Sequence, residues 1–464
     1  MSRMKTKFSE METREIVVDY NKTQGALCYR NHSFGIGGIN SLPIPPKVVD
    51  GVGRLKPKLI RIFLQEFFFI YPDHYVFDWA KMDAYIKAVY ETGADIMAHI
   101  TIKPKPLYPV IDENIWQPTS VEEWQQIIEA MVKRYSVENN YITHWAVANE
   151  INLGELGGCP YKFESPVEYF GYYKITVEAI ARASSKVKIG GPAWAGIWDN
   201  MGDFFEKFFE LVKQENLPLD FISYNIYTDS PTDNLNAAKE VRALADKYSK
   251  NLELYITELN VSLDHGVEET AYMGARAASL AASLMTLTEA DLLTGTFQYH
   301  IVDQHCDMRD FAQFYKVVRY MSDHWNDYPH RLGLLDWDGN PRPQYFMYEL
   351  LYKMSGEKLC TTTDDVGNFY IAASKTTSND INIFVSNFNP EVQTDLTAKL
   401  QLNGNPEGLY QLTVYRIDDE KRWDDGLCLY PVEKRVLYMG EDFKFPVYIP
   451  AYSVVLIQLV KVEE

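Results

Sequence analysis

Short apolar runs alternate with helix-forming segments over most of this chain, from about Phe34 to Met354. Eight such runs occur, among them LELYITEL and TFQYHIV. Uninterrupted apolar runs of this kind are typical of parallel strands, which are buried on both faces. Strands that alternate with helices favour a parallel sheet. Eight units of this length predict a (β/α)₈ barrel over residues 21–355.

The pattern changes after residue 355. The runs FYIAAS, INIFVSNF, YQLTVYRID and YSVVLIQLV have alternating or β-branched character and are separated by Gly, Asn, Asp and Pro. They predict an antiparallel β-sandwich over residues 356–464. The early run Arg14–Asp19 precedes any helix, and we expect residues 1–20 to join this sandwich as an outlying strand. A chain of 464 residues fits a barrel of about 300 residues with a smaller second module.

The charge of the chain narrows its partners. A net charge of −19 excludes a typical nucleic-acid-binding protein, which needs a basic surface, and disfavours adsorption to anionic membranes. The N-terminal residues lack the apolar core of a signal peptide, so we expect a cytoplasmic protein unless a leader has been removed. The cysteines are odd in number and lack metal-ligand spacing, and are expected to be free thiols: Cys28, Cys159, Cys306, Cys360 and Cys428.

Two of the apolar runs end in glutamates. THWAVANEINLG contains Glu150 directly after a short apolar run, and LELYITEL contains Glu258. In a barrel of this type the carboxyl ends of the strands carry the chemistry. Two glutamates at such ends are what a glycosidase needs, although each could also be an exposed loop residue. The run KLIRIF adds an inward Arg61, which requires a buried partner such as a carboxylate near the barrel centre.

The ordered set of segments HWAVANEINLGE, KIGGPAWAG, DFISYNIY, LYITELN and GLLDWDGNPRPQYFMYELL resembles glycoside hydrolase family 39. That family contains retaining β-xylosidases and α-L-iduronidases, and the resemblance spans nearly the whole chain. It implies a retaining glycosidase, most similar to a β-xylosidase, that acts on an oligosaccharide or glycoside without metal or organic cofactor. Members often form oligomers, so a homo-oligomer is an expectation.

The resemblance also implies roles for individual residues. Glu150 matches the general acid/base and Glu258 the nucleophile, whose carboxyl groups should lie about 5–5.5 Å apart in a retaining enzyme. Asn149 matches the residue that binds the sugar 2-hydroxyl. Tyr227 matches a tyrosine that donates a hydrogen bond to the nucleophile. Arg61 falls where an arginine holds that nucleophile ionised.

The chain departs from the family pattern at several positions. Ile151 replaces the usual proline after the acid, a change without chemical consequence. Asn225 stands where a histidine is common, His300 where an aromatic floor is common, and His99 where a glutamate is common. Since these three are expected to line the sugar pocket, the glycone stays open between xylose and glucose, galactose or arabinose.

Further polar residues near strand ends could grip sugar hydroxyls or serve only as structural hydrogen-bonders: Glu66, His99, His300 and Asp303. Trp194 and Trp198 could form a platform for the leaving group or simply pack. Lys103 and Lys105 could bind a uronic acid or be solvated. A carbohydrate-binding protein that has lost catalysis is the alternative from another class. The retention of both Glu150 and Glu258 argues against it.

Overall fold

The computed structural model of the protein describes residues 12–196, 201–263, 273–363, 369–391, 394–424 and 426–462. Eight parallel strands close into a barrel in chain order. They are β2 (His32–Ile36), β3 (Leu59–Gln65), β4 (Asp95–Thr101), β5 (Ile142–Val147), β6 (Lys188–Ala195), β7 (Phe221–Tyr227), β8 (Glu253–Asn260) and β9 (Gly295–Tyr299). The predicted barrel is confirmed.

Helices cover the outside of the barrel between successive strands. The longer ones are Pro46–Leu55, Ala80–Tyr90, Val121–Val132, Pro166–Ala183, Met201–Gln214, Pro231–Tyr248, Gly274–Ala290 and Pro343–Leu351. Short helical turns Met308–Phe311 and Val318–Ser322, with a π-turn at Asp323–Asp327, form an excursion after β9. Residues of this excursion line the cavity that holds Glu150 and Glu258.

Local sequence explains where the helices begin. Ser165 caps the helix Pro166–Ala183 in a full capping box with Glu168. Ser120 likewise accepts a hydrogen bond from the Glu123 amide, but the expected reciprocal bond is replaced. The Glu123 carboxylate instead accepts from Tyr71 and His74 of a neighbouring loop. A tertiary contact therefore takes the carboxylate that would complete a capping box at this helix.

Two elements have irregular boundaries. β6 continues to Ala195, because it bulges against β7 and resumes pairing at Ala193. The helix Ala80–Tyr90 begins at Ala80, whose amide donates to the Asp78 carboxylate. Asp78 therefore caps this helix from two positions before its first residue.

The second unit is a nine-stranded, mostly antiparallel sheet. Its strands are β1 (Glu12–Cys28), β10 (Ser355–Thr363), β11 (Phe369–Lys375), β12 (Ile381–Asn387), β13 (Leu396–Asn403), β14 (Gly408–Ile417), β15 (Glu433–Met439), β16 (Asp442–Ile449) and β17 (Ser453–Lys461). Their order is β15-β14-β17-β12-β11-β10-β1-β13-β16. Apolar residues from β13 and β16 share one core with residues from β12, β14 and β17, so the two halves of the sheet pack on each other as in a sandwich.

The sheet and the barrel are packed together. Phe384 and Leu456 of the sheet belong to the same buried cluster as the barrel core. The Ser386 hydroxyl donates to the Ala278 carbonyl oxygen of the helix Gly274–Ala290 at 2.7 Å. The sheet thus supports the outside of the barrel at that helix. Among the described residues, no helix is long and apolar enough to cross a membrane.

Candidate active site

Glu150 and Glu258 lie together at the carboxyl end of the barrel. Glu150 follows the end of β5 by three residues. Glu258 lies inside β8, two residues before that strand ends at Asn260. Both line one cavity of about 150 Å³ and are only 9% and 6% exposed. This volume is below the range of about 300–1,000 Å³ found for drug-sized ligands. It suits a single sugar ring.

The backbone bends sharply where β5 ends. Ala148 and Glu150 have φ angles of +68° and +41°, in the left-handed region that side chains other than glycine rarely adopt. Such strain persists only where the surroundings impose it, and it clusters at functional sites. The bend lets two successive side chains enter one polar network. Asn149 accepts from Arg61, while Glu150 accepts from Asn225.

The carboxylate of Glu258 is held by two donors. Arg61 Nη1 lies 2.9 Å from one oxygen, and the Tyr227 hydroxyl donates to the other at 2.5 Å. The guanidinium is completely buried and its carbon lies 3.7 Å from the centre of the Phe63 ring. A charge-assisted pair of this kind fixes the position of the carboxylate.

Glu150 has different surroundings. Burial raises the pKa of its carboxyl to about 8, and the nearby charge of Glu258 acts in the same direction. The Asn225 amide, which donates to Glu150 at 2.8 Å, and the more distant Arg61 oppose that rise. One glutamate is therefore protonated near neutrality while its neighbour is paired with a cation. That division of environments is what acid and nucleophile roles require.

The amides around the pair are oriented by further bonds. Arg61 Nη2 donates to the Asn149 side-chain oxygen at 2.6 Å, which directs the Asn149 amide nitrogen away from the guanidinium. The Thr257 hydroxyl donates to the Asn225 side-chain oxygen at 2.8 Å, so Asn225 must present its amide nitrogen to Glu150. Asn225 and Glu258 are also register partners on adjacent strands.

His99 belongs to the same buried network but does not line the cavity. Its Nδ1 lies 3.2 Å from the Ala148 carbonyl oxygen and 3.4 Å from Arg61 Nη2. Burial and the Arg61 charge lower its pKa well below the usual value, so the imidazole is neutral. The tautomer protonated at Nδ1 donates to Ala148, which supports the bend that carries Glu150.

Three other predicted residues lie elsewhere. Both oxygens of Asp303 accept from Arg342, at 3.0 and 2.5 Å, in a fully buried pair. His300 is buried beside Trp325, and burial lowers its pKa to about 4. Glu66 lines a separate small cavity, and burial raises its pKa to about 8. The described lining of the cavity around the two glutamates includes none of these three.

The lysine and tryptophan candidates are also outside the described lining of this cavity. Lys103 is not the solvated lysine of the alternative interpretation, because it is buried and donates to the carbonyl oxygens of Asp112 and Pro160. Lys105 donates to the Gln313 side chain at 3.1 Å. Trp194 is buried, with its ring 4.9 Å from that of Phe204, because it lies inside β6. Trp198 lies outside the described residues.

The cavity also has walls that no sequence pattern identified. The excursion after β9 contributes Tyr320, Met321, His324, Trp325 and His330. The turns that follow the two glutamates contribute Leu156 and Leu263, and β9 contributes Tyr299. No local sequence pattern indicates that the segment after β9 folds back over the strand ends. In the described part of the chain, no group of three or more His, Cys, Asp or Glu side chains could hold a metal ion.

Comparison with known proteins identifies related sequences and structures. The sequence model of the family described as "Glycosyl hydrolases family 39" matches residues 60–425. A β-xylosidase of Caldicellulosiruptor saccharolyticus is 24% identical over 375 residues, covering 74% of this chain and 70% of that protein. A monomeric β-xylosidase of Caulobacter crescentus has the same fold, with a TM-score of 0.76, 18% identity, and coverage of 97% and 100% of the two chains. A glucosidase of Croceicoccus marinus matches with a TM-score of 0.73, 18% identity, and coverage of 98% and 100%.

Proposed function

The chain belongs to glycosyl hydrolase family 39 and is a glycosidase, and we propose that it releases terminal xylose from β-xylosides with retention of configuration. The observation that carries the proposal is the contrast between two glutamates in one cavity. Glu150 has a pKa raised to about 8, whereas Glu258 is paired with Arg61 and Tyr227. The similarity to β-xylosidases supports the choice of sugar.

In the proposed mechanism Glu258 attacks the anomeric carbon while Glu150 protonates the leaving oxygen. The glycosidic bond breaks as the covalent glycosyl-enzyme forms. Glu150, now ionised, removes a proton from water, and the water oxygen displaces Glu258 to give the free sugar. Asn149, ordered by Arg61, is in the polar network beside the nucleophile and is the proposed partner of the sugar 2-hydroxyl.

The cavity that holds the two glutamates has a volume of about 150 Å³, which suits a single sugar ring. The competing hexose specificities rest on the departures at His99, Asn225 and His300. Only Asn225 among them contacts a catalytic candidate directly.

The test is hydrolysis of a panel of aryl glycosides: β-xyloside, β-glucoside, β-galactoside, α-arabinoside and α-iduronide. We expect the β-xyloside to be preferred, and the first product observed by NMR to be the β-anomer. Glu258→Gln serves as the control and should abolish turnover. Preference for any other glycoside in the panel would overturn the choice of sugar, and an α-xylose first product would overturn the retaining mechanism.

A further inference from the structure

Three large apolar side chains are exposed around the mouth of the cavity. Leu156, Leu263 and Tyr320 are 49%, 43% and 37% exposed, and all three line the cavity that contains Glu150 and Glu258. Apolar residues scattered singly over a surface need no explanation. Apolar residues gathered at one opening mark a binding surface. We call these three residues the apolar rim.

Two members of the apolar rim, Leu156 and Tyr320, are linked through the backbone. Leu156 lies in the turn Gly154–Gly157, whose first amide donates to the Glu150 carbonyl oxygen at 3.0 Å. The neighbouring Glu155 carboxylate accepts from the amides of Lys316 and Val317, at 2.7 and 3.2 Å. This carboxylate joins the Leu156 turn to the segment that leads into Tyr320.

Tyr320 is an ordered aromatic surface at the mouth of the cavity. Its ring centre lies 3.8 Å from that of His324, and His324 Nδ1 donates to the Tyr320 carbonyl oxygen at 2.9 Å. Tyr320 and Glu150 line the same cavity. A preorganised ring of this kind binds a ligand at a low entropic cost.

The position of the apolar rim relative to the two glutamates indicates which part of a substrate it meets. If Glu150 donates its proton to the leaving oxygen, groups beside Glu150 at the mouth contact the leaving group rather than the retained sugar. A second sugar there would present several hydroxyls that each need a partner. Besides the two glutamates, the described lining of the cavity offers polar groups only on aromatic side chains: Tyr227, Tyr299, Tyr320, His324, Trp325 and His330.

We infer that the leaving-group subsite selects apolar alcohols, alkyl or aromatic, over a second sugar unit. The inference rests on the proposed function. Water and the glycoside yield the free sugar and the alcohol. The glycosidic carbon–oxygen bond breaks, the proton of Glu150 goes to the alcohol oxygen, and water supplies the proton that restores Glu150.

The test compares methyl, butyl and octyl β-glycosides of the sugar released in the aryl panel with the corresponding disaccharide. The alkyl leaving groups have similar acidity, so differences among them report contacts with the apolar rim. A fully buried methylene contributes about fourfold. Because the mouth is partly open, we expect kcat/KM to rise about twofold per methylene from methyl to butyl, and octyl to exceed the disaccharide.

Equal rates along the alkyl series, or preference for the disaccharide, would overturn the inference while leaving the glycosidase intact. If no glycoside were turned over, including the aryl panel, the proposed function would fail and the inference with it. The three outcomes are therefore distinguishable.

Variants sharpen the test. Leu156→Asn and Leu263→Asn should each lower the octyl-to-methyl ratio of kcat/KM at least about threefold, because each removes apolar contact area from the mouth. Leu409→Asn is the matched control, since Leu409 is 44% exposed on β14 of the second sheet. It should leave the ratio unchanged. If neither rim variant moved the ratio while both kept the wild-type melting temperature, the subsite would lie elsewhere.

Discussion

Two buried arginine–carboxylate pairs lie at the carboxyl end of the barrel, and they differ in how completely the carboxylate is occupied. Arg342 forms a two-bond fork with Asp303, and the Gly333 amide donates to the same carboxylate at 2.9 Å. Arg61 makes one bond of 2.9 Å to Glu258, whose second oxygen, among the described residues, accepts only from Tyr227.

This difference indicates which of the two carboxylates is available for chemistry. Asp303 is fully enclosed, so its pair with Arg342 ties the loop after β9 to the start of the helix Pro343–Leu351. Glu258 borders the cavity and keeps a face toward it. Each pair joins a guanidinium to a carboxylate, and both pairs are buried. The proposed nucleophile differs from the structural clamp in two ways: its carboxylate is accessible from the cavity, and fewer of its lone pairs accept hydrogen bonds.

The largest expected effect is on Glu258. Glu258→Gln keeps the shape but removes the attacking charge, so we expect kcat on the preferred aryl glycoside to fall by a factor of about 10⁴ or more. Asp303→Asn, measured per folded molecule, should retain activity within about tenfold. A Glu258→Gln enzyme that kept more than a few per cent of wild-type kcat would erase the distinction between the two carboxylates.

The clamp should show its role in stability. Arg342→Met leaves Asp303 buried without its cation, and we expect a loss of about 3–5 kcal/mol in the free energy of unfolding. Urea denaturation followed by tryptophan fluorescence measures it. Combining Arg342→Met with Asp303→Leu removes both charges and should restore most of the loss. An unchanged urea midpoint in the single variant would contradict the clamp.

Arg61 should respond in the opposite sense. Arg61→Met removes a donor to Glu258 and to Asn149, so kcat should fall by about 10²–10³, the range found when one preorganised donor is lost. Its stability cost should be smaller than that of Arg342→Met, because Glu258 borders the cavity and can be hydrated there. Equal activity losses in the Arg61 and Arg342 variants would contradict the functional difference between the two arginine–carboxylate pairs.

The smallest effect is on pH dependence. The raised pKa keeps the proton on Glu150 at neutral pH, so kcat/KM should persist there and decline as pH rises through about 8. The positive charge of Arg61 opposes that rise. Arg61→Met should therefore move the alkaline limb upward by less than about one pH unit. Arg342→Met should leave it in place. A limb that stayed fixed in both variants would assign it to another group.

Much of this architecture could be predicted because the information is local. Glu150 and Glu258 each end an apolar run, and parallel strands in a barrel bring their carboxyl ends together. The position of Asp303 could not be predicted in the same way, since its partner Arg342 lies 39 residues away. Trp194 is in the core because β6 continues past a bulge, which pairing with β7 creates.

The residues that form the walls of the cavity could not be predicted from the sequence, for a related reason. Tyr320 reaches the mouth because the excursion folds back over the strand ends. That path depends on the Glu155 carboxylate and two backbone amides about 160 residues further along the chain. Helical periodicity indicates that such a segment exists but contains no information about where it packs.

The first strand of the protein has a consequence for synthesis. β1 pairs on one side with β10 and on the other with β13, so Ile16 meets Thr363 about 350 residues after it has been made. A ribosome adding about 5–20 residues per second needs about 20–70 s to deliver that partner. During this interval both edges of β1 are unpaired while the whole barrel emerges, and unpaired edges invite aggregation. Chaperone protection of the nascent N-terminus therefore matters most before the barrel has left the ribosome.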